Sequence, residues 1–374
     1  MIRLRALLLK EFIQMRRDRL TFGMMIGIPI FQLLLFGLAI NTDVKHLPTV
    51  VFDQSLSSES RELLDAFSAS SYFDFKYIVG SFKEVTARID DGDAKVGIVI
   101  PPDFAQNVRS GRSASAQVIV DATDSLAASS AISTASSIGE LRSQNILIQR
   151  LQVLTGRQVG LPYDIRIRPW YNPDFVTAYY MVPGIMGMIL TSTMVMITSM
   201  AIVREREHGT LEQLIVTPMK SYELMLGKII PYIFVGLVQA SVALMVGVLV
   251  FDLPIRGSLI ELFLFTLLFI VASLSLGILI SNFAKTQMQA MQLSFFIFLP
   301  STLLSGFMFP REAMPEIFFQ MGRLLPLTFY LQIMRGIVLK GVGIAALWPE
   351  VGALLLYTVI ALTFSVMKFK KKLA

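Results

Sequence analysis

The densest set of chemically capable side chains in this sequence runs from Arg204 to Pro218, REREHGTLEQLIVTP. Arg204, Glu205, Arg206 and Glu207 follow one another directly behind an apolar run that ends at Val203. Four alternating charges in succession mark the point where an apolar helix reaches water, and Pro218 closes whatever helix comes next. Gly209 and Thr210, then Leu211, Leu214 and Ile215 with Glu212 among them, predict a short amphipathic helix. It lies at a membrane surface and presents charge to a soluble partner. Glu205 and Glu207 are expected in water.

The remaining reactive side chains argue against catalysis. The chain has two histidines, His46 and His208. Glu205-x-x-His208 supplies one carboxylate and one imidazole, too few ligands for a metal. Ser129-Ser130 and Ser136-Ser137 have no positioned base nearby and suit helix packing. The absence of cysteine excludes disulfides, thiolate metal sites and cysteine nucleophiles. No GxxxxGK[ST] phosphate loop is present, so ATP chemistry has no residues to carry it here.

The elements that must position the charged segment are apolar. Of 374 residues, 54% are hydrophobic and 16% charged, against about 25% charged in soluble domains. Six segments are long enough, or nearly so, to cross a bilayer: 20–40, 175–203, 229–251, 262–280, 291–309 and 351–367. Before the first span stand Arg3, Arg5, Lys10, Arg16, Arg17 and Arg19, and after the last stand Lys368, Lys370, Lys371 and Lys372. By the positive-inside rule both ends are cytoplasmic, and an even number of spans follows. The net charge of +6 comes from these flanks and suits anionic membrane lipid; nothing points to nucleic acid. Leu4, Leu8, Phe12 and Met15 share one helical face opposite Arg3, Lys10, Gln14 and Arg17, so residues 1–19 read as an amphipathic helix on the cytoplasmic leaflet.

Residues 42–174 form a hydrophilic insert with 13 basic and 16 acidic residues, expected on the outside. LPTVVFD, FDFKYIV, KVGIVI and AQVIVDA alternate with helical stretches at 57–67, 82–89 and 103–109. They predict a small α/β layer of four strands, followed by a Ser/Ala-rich helix from Ser125 to about Leu154. The expected fold is an α-helical polytopic membrane protein of six spans, with this extracytoplasmic α/β domain between the first two. Its divisions are 1–19, the first span at 20–41, the insert at 42–174 and the remaining spans at 175–374.

The spans are nearly free of ionisable residues, and Glu261 sits at a span edge with Arg256. An ion-coupled carrier needs a buried group to bind its ion, so the energy for transport is expected from another polypeptide. In the second span Tyr180, Gly184, Gly187, Thr191, Met194 and Thr198 fall on one stripe. Two readings fit it, a substrate path and a small-residue packing face. An ion-coupled secondary carrier and a membrane-anchored sensor or assembly scaffold stand as alternative functions.

REREHGTLEQLIVTP after the second span, LLSGFMFPREAMPEIF after the fifth, and KVGIVIPPDF with VIVDATDS in the insert resemble ABC exporter permeases of the type-2, drug-export class. The resemblance covers the whole chain. It implies a permease subunit in the bacterial inner membrane whose ATP and magnesium reside on a separate ATPase subunit, with no cofactor on this chain. A second permease copy or a paralogue would complete the path, and a periplasmic adaptor is a further implied partner. It assigns 204–220 to ATPase coupling, through Arg204, Glu205, Arg206, Glu207, Gly209, Thr210, Glu212, Leu214 and Pro218. It also makes 305–340 a re-entrant hairpin, broken at Ser305, Gly306, Pro310 and Pro315.

Overall fold

The structure is a computed structural model. It describes residues 8–9, 13, 17, 19–39, 44–156, 170–209 and 221–368. Most of the proposed amphipathic helix 1–19 therefore lies outside the described residues. The chain divides into two compact units, residues 41–168 and residues 1–40 with 169–374. In chain order the elements are α1 (Arg19–Ala39), β1 (Leu47–Asp53), α2 (Ser58–Ala69), β2 (Phe73–Ile78), α3 (Phe82–Asp90), β3 (Val96–Ile100), α4 (Phe104–Ser110), β4 (Gln117–Val120) and α5 (Ser125–Thr155). The second half holds α6 (Thr177–Glu207), α7 (Ser221–Phe251), α8 (Leu259–Ser281), α9 (Gln287–Leu304), α10 (Glu316–Gly322), α11 (Pro326–Arg335) and α12 (Trp348–Lys368).

In residues 41–168 the four strands form one sheet in the order β2-β1-β3-β4. β1 runs parallel to β2 and β3, while β4 returns antiparallel to β3. The alternation along β3 builds two cores. Val96, Ile98 and Ile100 face Phe67, Phe104, Ala127 and Ala131, under α2, α4 and α5. Val99 and Val50 lie on the opposite face with Val85 of α3. Gly97 lets α3 approach, since a Cβ there would stand 2.7 Å from Cγ1 of Val85. Local chemistry starts the helices. Ser57 and Ser60 form a reciprocal capping box, Ser81 accepts from the Glu84 amide, and Asp124 accepts from the amides of Leu126 and Ala127.

A bidentate pair crosses this unit from α4 to α2. Arg109 donates Nε and Nη2 to the two Glu59 carboxylate oxygens at 2.6 and 2.9 Å. Those bonds hold the Glu59 pKa down to about 2 from an ordinary 4.5. A depressed folded-state pKa means that the pair's contribution is present above pH 4.5 and is lost as pH falls through about 2. Arg109→Met is expected to return the Glu59 titration toward 4.5, read by NMR of the full chain labelled at glutamate carboxyl carbons. An unmoved titration would contradict the pairing.

The other unit is a bundle of apolar helices. Four of them are long and apolar enough to cross a membrane: Thr177–Glu207, Ile229–Phe251, Leu259–Ser281 and Trp348–Ser365. The described apolar stretch of α1, Gly27–Leu38, is shorter, and α9 has 18 residues with Pro300 inside it. Among the described residues four helices are thus long and apolar enough to cross a bilayer, where six spans are expected from the sequence. α6 is the central helix, with Ile185, Met186, Ile189, Leu190 and Met194 all buried. Phe234 and Leu249 on α7, Phe296 on α9 and Leu356 on α12 are exposed, as lipid-facing surfaces would be.

Lipid gives apolar helices no hydrophobic reason to associate, so close approach and interhelical hydrogen bonds must hold them together. Both are present. A Cβ at Gly277 of α8 would stand 2.7 Å from the Val195 carbonyl oxygen of α6, so the two backbones nearly touch. Hydroxyl bonds join the same helices to their neighbours. Ser199 meets Ser294 at 2.9 Å, Thr193 donates to Oε1 of Gln239 at 2.9 Å, and Ser365 donates to the Ser275 carbonyl at 3.0 Å. Tyr330 stacks on Phe269 with centroids 4.1 Å apart, and its hydroxyl lies 3.1 Å from that of Thr266.

Candidate functional site

α6 ends in the charged run, and the structure separates the roles of its members. Arg204 is exposed on the last turn, and its carbonyl accepts from the His208 amide at 3.1 Å. Gly209 takes φ +68°, the left-handed conformation that closes a helix and that glycine adopts without strain. Thr210, Glu212, Leu214 and Pro218 lie outside the described residues.

Arg206 and Glu207 turn back onto the chain. Arg206 Nη1 donates to the carbonyl oxygens of Ser281 and Ala284, both at 3.0 Å. The Ser281 carbonyl ends α8, where the last acceptors of a helix have no partner of their own, and the Ala284 carbonyl lies in the turn that follows. Glu207 accepts from the amide of Gln287, the first residue of α9, at 2.9 Å, and from the Gln287 side-chain amide. A cation thus sits at a helix C-terminus and a carboxylate at the next helix N-terminus, each matched to the local dipole. Two adjacent residues at the end of α6 therefore clamp the α8–α9 turn. Glu207 is exposed, as expected, and its carboxylate is also held at both oxygens, whereas Glu205 is half-buried.

The break between the apolar runs 262–280 and 291–309 is where the α8–α9 turn falls, but its docking with the charged run is not foreseen in the sequence. The available signal was weak: Asn282 and Thr286 flank a break between two apolar runs, and Thr286 caps α9 by accepting from the Gln289 amide. Nothing local says that a charged segment 75 residues earlier would dock there.

The stripe along α6 is filled by this chain's own side chains. The Tyr180 hydroxyl donates to the Gly306 carbonyl at 2.8 Å. Gly184 lies under the Phe307 ring, and a Cβ at Gly187 would stand 2.7 Å from Cδ1 of Leu327. Thr191 donates to the Gly187 carbonyl at 2.8 Å, and Met194 and Thr198 are fully buried. The segment after α9 supplies most of these neighbours. Ser305 is buried, Gly306 turns with φ +86°, and Pro310 and Pro315 stand before a short 3-10 turn and α10 respectively. A Cβ on Gly322 would meet the Leu304 carbonyl at 2.6 Å, so the segment folds back on the end of α9.

Among the described residues no group of three or more His, Cys, Asp or Glu side chains could hold a metal. The helical unit is thus a bundle of apolar helices, four of them long and apolar enough to cross a membrane, with a charged turn clamped at one helix end. The chain belongs to the ABC-2 family of transporter proteins, whose family model matches residues 19–367. It is the permease component of an ABC exporter. It is similar to the probable multidrug ABC transporter permease YbhR of Escherichia coli K12, 29% identical over 371 residues and 99% of each chain. It is also similar to the probable multidrug ABC transporter permease YbhS of that strain, 30% identical over 91% of this chain and 89% of that one. A third relative, the inner membrane transport permease YhhJ, is 30% identical over 87% and 85%.

Proposed function

We propose that this chain moves drug-like or other amphipathic molecules out of the cytoplasm, with a separate ABC ATPase supplying the energy through the segment that begins at Arg204. The single observation that carries this reading is the clamp of Arg206 and Glu207 on the α8–α9 turn. A push on a charged segment at the end of α6 would reach α8 and α9 directly through it. Arg204 and Glu205 precede the clamp, and with Gly209 they form the near part of the docking surface. Thr210, Glu212, Leu214 and Pro218 complete it. The charges steer and orient the ATPase rather than supply most of its affinity.

The names of the relatives support multidrug export and an inner-membrane location for this chain. A six-span topology, with both termini cytoplasmic and residues 42–174 outside, fits the distribution of basic residues. In that frame residues 305–340 are a hairpin that enters and leaves the outer leaflet, and two permease chains, identical or paralogous, enclose the path. A periplasmic adaptor would then engage the α/β unit. The α6 stripe is closed in the conformation described, so path lining by Thr191 or Gly187 requires the α9–α11 segment to withdraw.

The test of function is co-purification and hydrolysis. Expressed with its ABC ATPase, the chain is expected to retain that subunit and to raise its ATP hydrolysis when an exported compound is added. Hydrolysis indifferent to both permease and compound would remove the proposal. Topology is tested separately, since the chain lacks native cysteine. Cysteines placed at Ser58, Ser113 and Glu316 should react with an impermeant reagent in intact cells, and those at Ser221 and Lys371 should not. External labelling at Lys371 would overturn the six-span arrangement.

A further inference from the structure

We propose that Arg335 is the receiving group of an anion site in the helical unit, one that takes the phosphate or carboxylate head of an amphipathic molecule. Arg335 closes α11, and its guanidinium lies 3.8 Å above the Tyr180 ring. Its Nη1 donates to the Gly306 carbonyl at 3.1 Å, the same oxygen that accepts from the Tyr180 hydroxyl. One face and one corner of the guanidinium are therefore fixed. Nε and Nη2 are buried and have no hydrogen-bond partner. Those two nitrogens form the side-on edge of an arginine, whose parallel N–H groups match the two oxygens of one carboxylate or phosphate.

A second cation borders the same turn. The Arg311 stem lies 3.0 and 3.2 Å from the place where Gly306 would carry a Cβ. Its guanidinium stacks 4.5 Å from the Phe319 ring centre and donates Nη2 to the Phe319 carbonyl at 3.1 Å. Its Nε is also buried without a partner. The ion pairs found among the described residues all lie in the α/β unit, and neither Arg311 nor Arg335 takes part in one. Glu312, the neighbouring acid, is exposed.

Three buried, unpartnered nitrogens on two arginines around one turn are an unfavourable arrangement in an apolar bundle unless an acceptor arrives. An oxyanion supplies two acceptors and the opposing charge together, and an apolar tail would suit the surrounding bundle. The neighbouring backbone is also irregular. A π-type turn over Gly336–Lys340 follows Arg335 directly and ends at Gly341, with φ +70°. Such turns accompany functional positions in helices.

The amphipathic tail rests on the exporter reading, but the binding itself requires neither ATPase nor transport, so the two can fail independently. The full chain, delipidated in dodecyl maltoside, is titrated with dodecyl phosphate, dodecanoate and dodecanol while its melting temperature is followed. The two anions are expected to raise it and dodecanol is not. Arg335→Lys, which keeps the charge but lacks the side-on edge, should weaken the apparent affinity at least 10-fold. Arg335→Met should remove the response altogether, and if it fails to fold, Arg335→Lys still decides the matter. Native mass spectrometry then separates the sources. Phosphatidylglycerol retained by the wild type and lost from Arg335→Lys identifies a bilayer lipid, whereas response to the short amphiphiles alone identifies a dissolved solute. Equal stabilisation by dodecanol would overturn the site, as would wild-type affinity in Arg335→Lys. A fall in melting temperature on Glu312→Gln with no response to any anion would show that the partner is the chain's own carboxylate, and would overturn it as well.

Discussion

Replacing Glu207 with lysine is expected to abolish transport-linked ATP hydrolysis by the assembled exporter, at least 10-fold below wild type, while the chain still reaches the membrane folded. Glu207 is exposed, so water can replace it at the Gln287 amide, and the fold tolerates the local loss. The functional loss is larger because the substitution also puts a cation at the N-terminus of α9, where the helix dipole opposes it. With the Glu207 half of the clamp open, motion of α6 no longer carries the start of α9, although Arg206 still holds the end of α8. Glu207→Gln keeps an acceptor for the Gln287 amide and should retain most of the activity. Arg204→Ala should weaken ATPase retention instead, because Arg204 is exposed and does not hold the α8–α9 turn. Substrate-stimulated hydrolysis and ATPase retention, measured on all three variants, separate coupling from docking. Full hydrolysis in Glu207→Lys would show that the Glu207 contact transmits nothing.

The second large effect is expected at Gly277. An added methyl would stand 2.7 Å from the Val195 carbonyl oxygen and 2.9 Å from the Thr198 Cβ, well inside van der Waals contact. The obstacle is backbone, so no rotamer change relieves it, and α6 and α8 must separate. Overpacking of this kind costs about 1–3 kcal/mol, and the associated loss of close helix contact adds to it. Gly277→Ala should therefore lower the melting temperature of the detergent-solubilised chain and the yield of monodisperse protein. Gly184→Ala makes an informative contrast. Its new methyl would collide with the Phe307 ring, a side chain that can be cut back. Phe307→Leu is expected to rescue Gly184→Ala, while no side-chain trimming at Val195 should rescue Gly277→Ala. Equal melting temperatures for Gly277→Ala and wild type would mean that the two helices are farther apart than described.

Much of the architecture was legible along the chain because its causes are local. The α/β unit announces itself through β-branched runs and through caps such as Ser57, Ser81 and Asp124, each of which bonds to an amide within three residues. The helix from Ser125 onward follows from the absence of proline and a single interior glycine over that stretch. Long apolar runs mark the helices of the other unit, and REREHG marks the end of one of them, because charges adjoining an apolar helix must reach water. The same words carried the family resemblance.

What the tertiary structure decided is who meets whom. Strand order is one case: the first strand is central, and the fourth turns antiparallel, which no run of valines and isoleucines specifies. The α6 stripe is another. Gly184 and Gly187 read equally well as a path or as a packing face, and in the described conformation Phe307 and Leu327, more than a hundred residues away, cover them. Nothing along the chain shows that Arg206 and Glu207 bond the ends of α8 and α9, which the fold brings to 3.0 and 2.9 Å. Only the fold lays Tyr180 beneath Arg335 and leaves two of its nitrogens unbonded. Periodicity and capping depend on neighbours a few residues away, so the sequence displays them directly. The partner of a glycine, a carboxylate or a guanidinium is set by the packing of distant helices, and that exists only once the chain has folded.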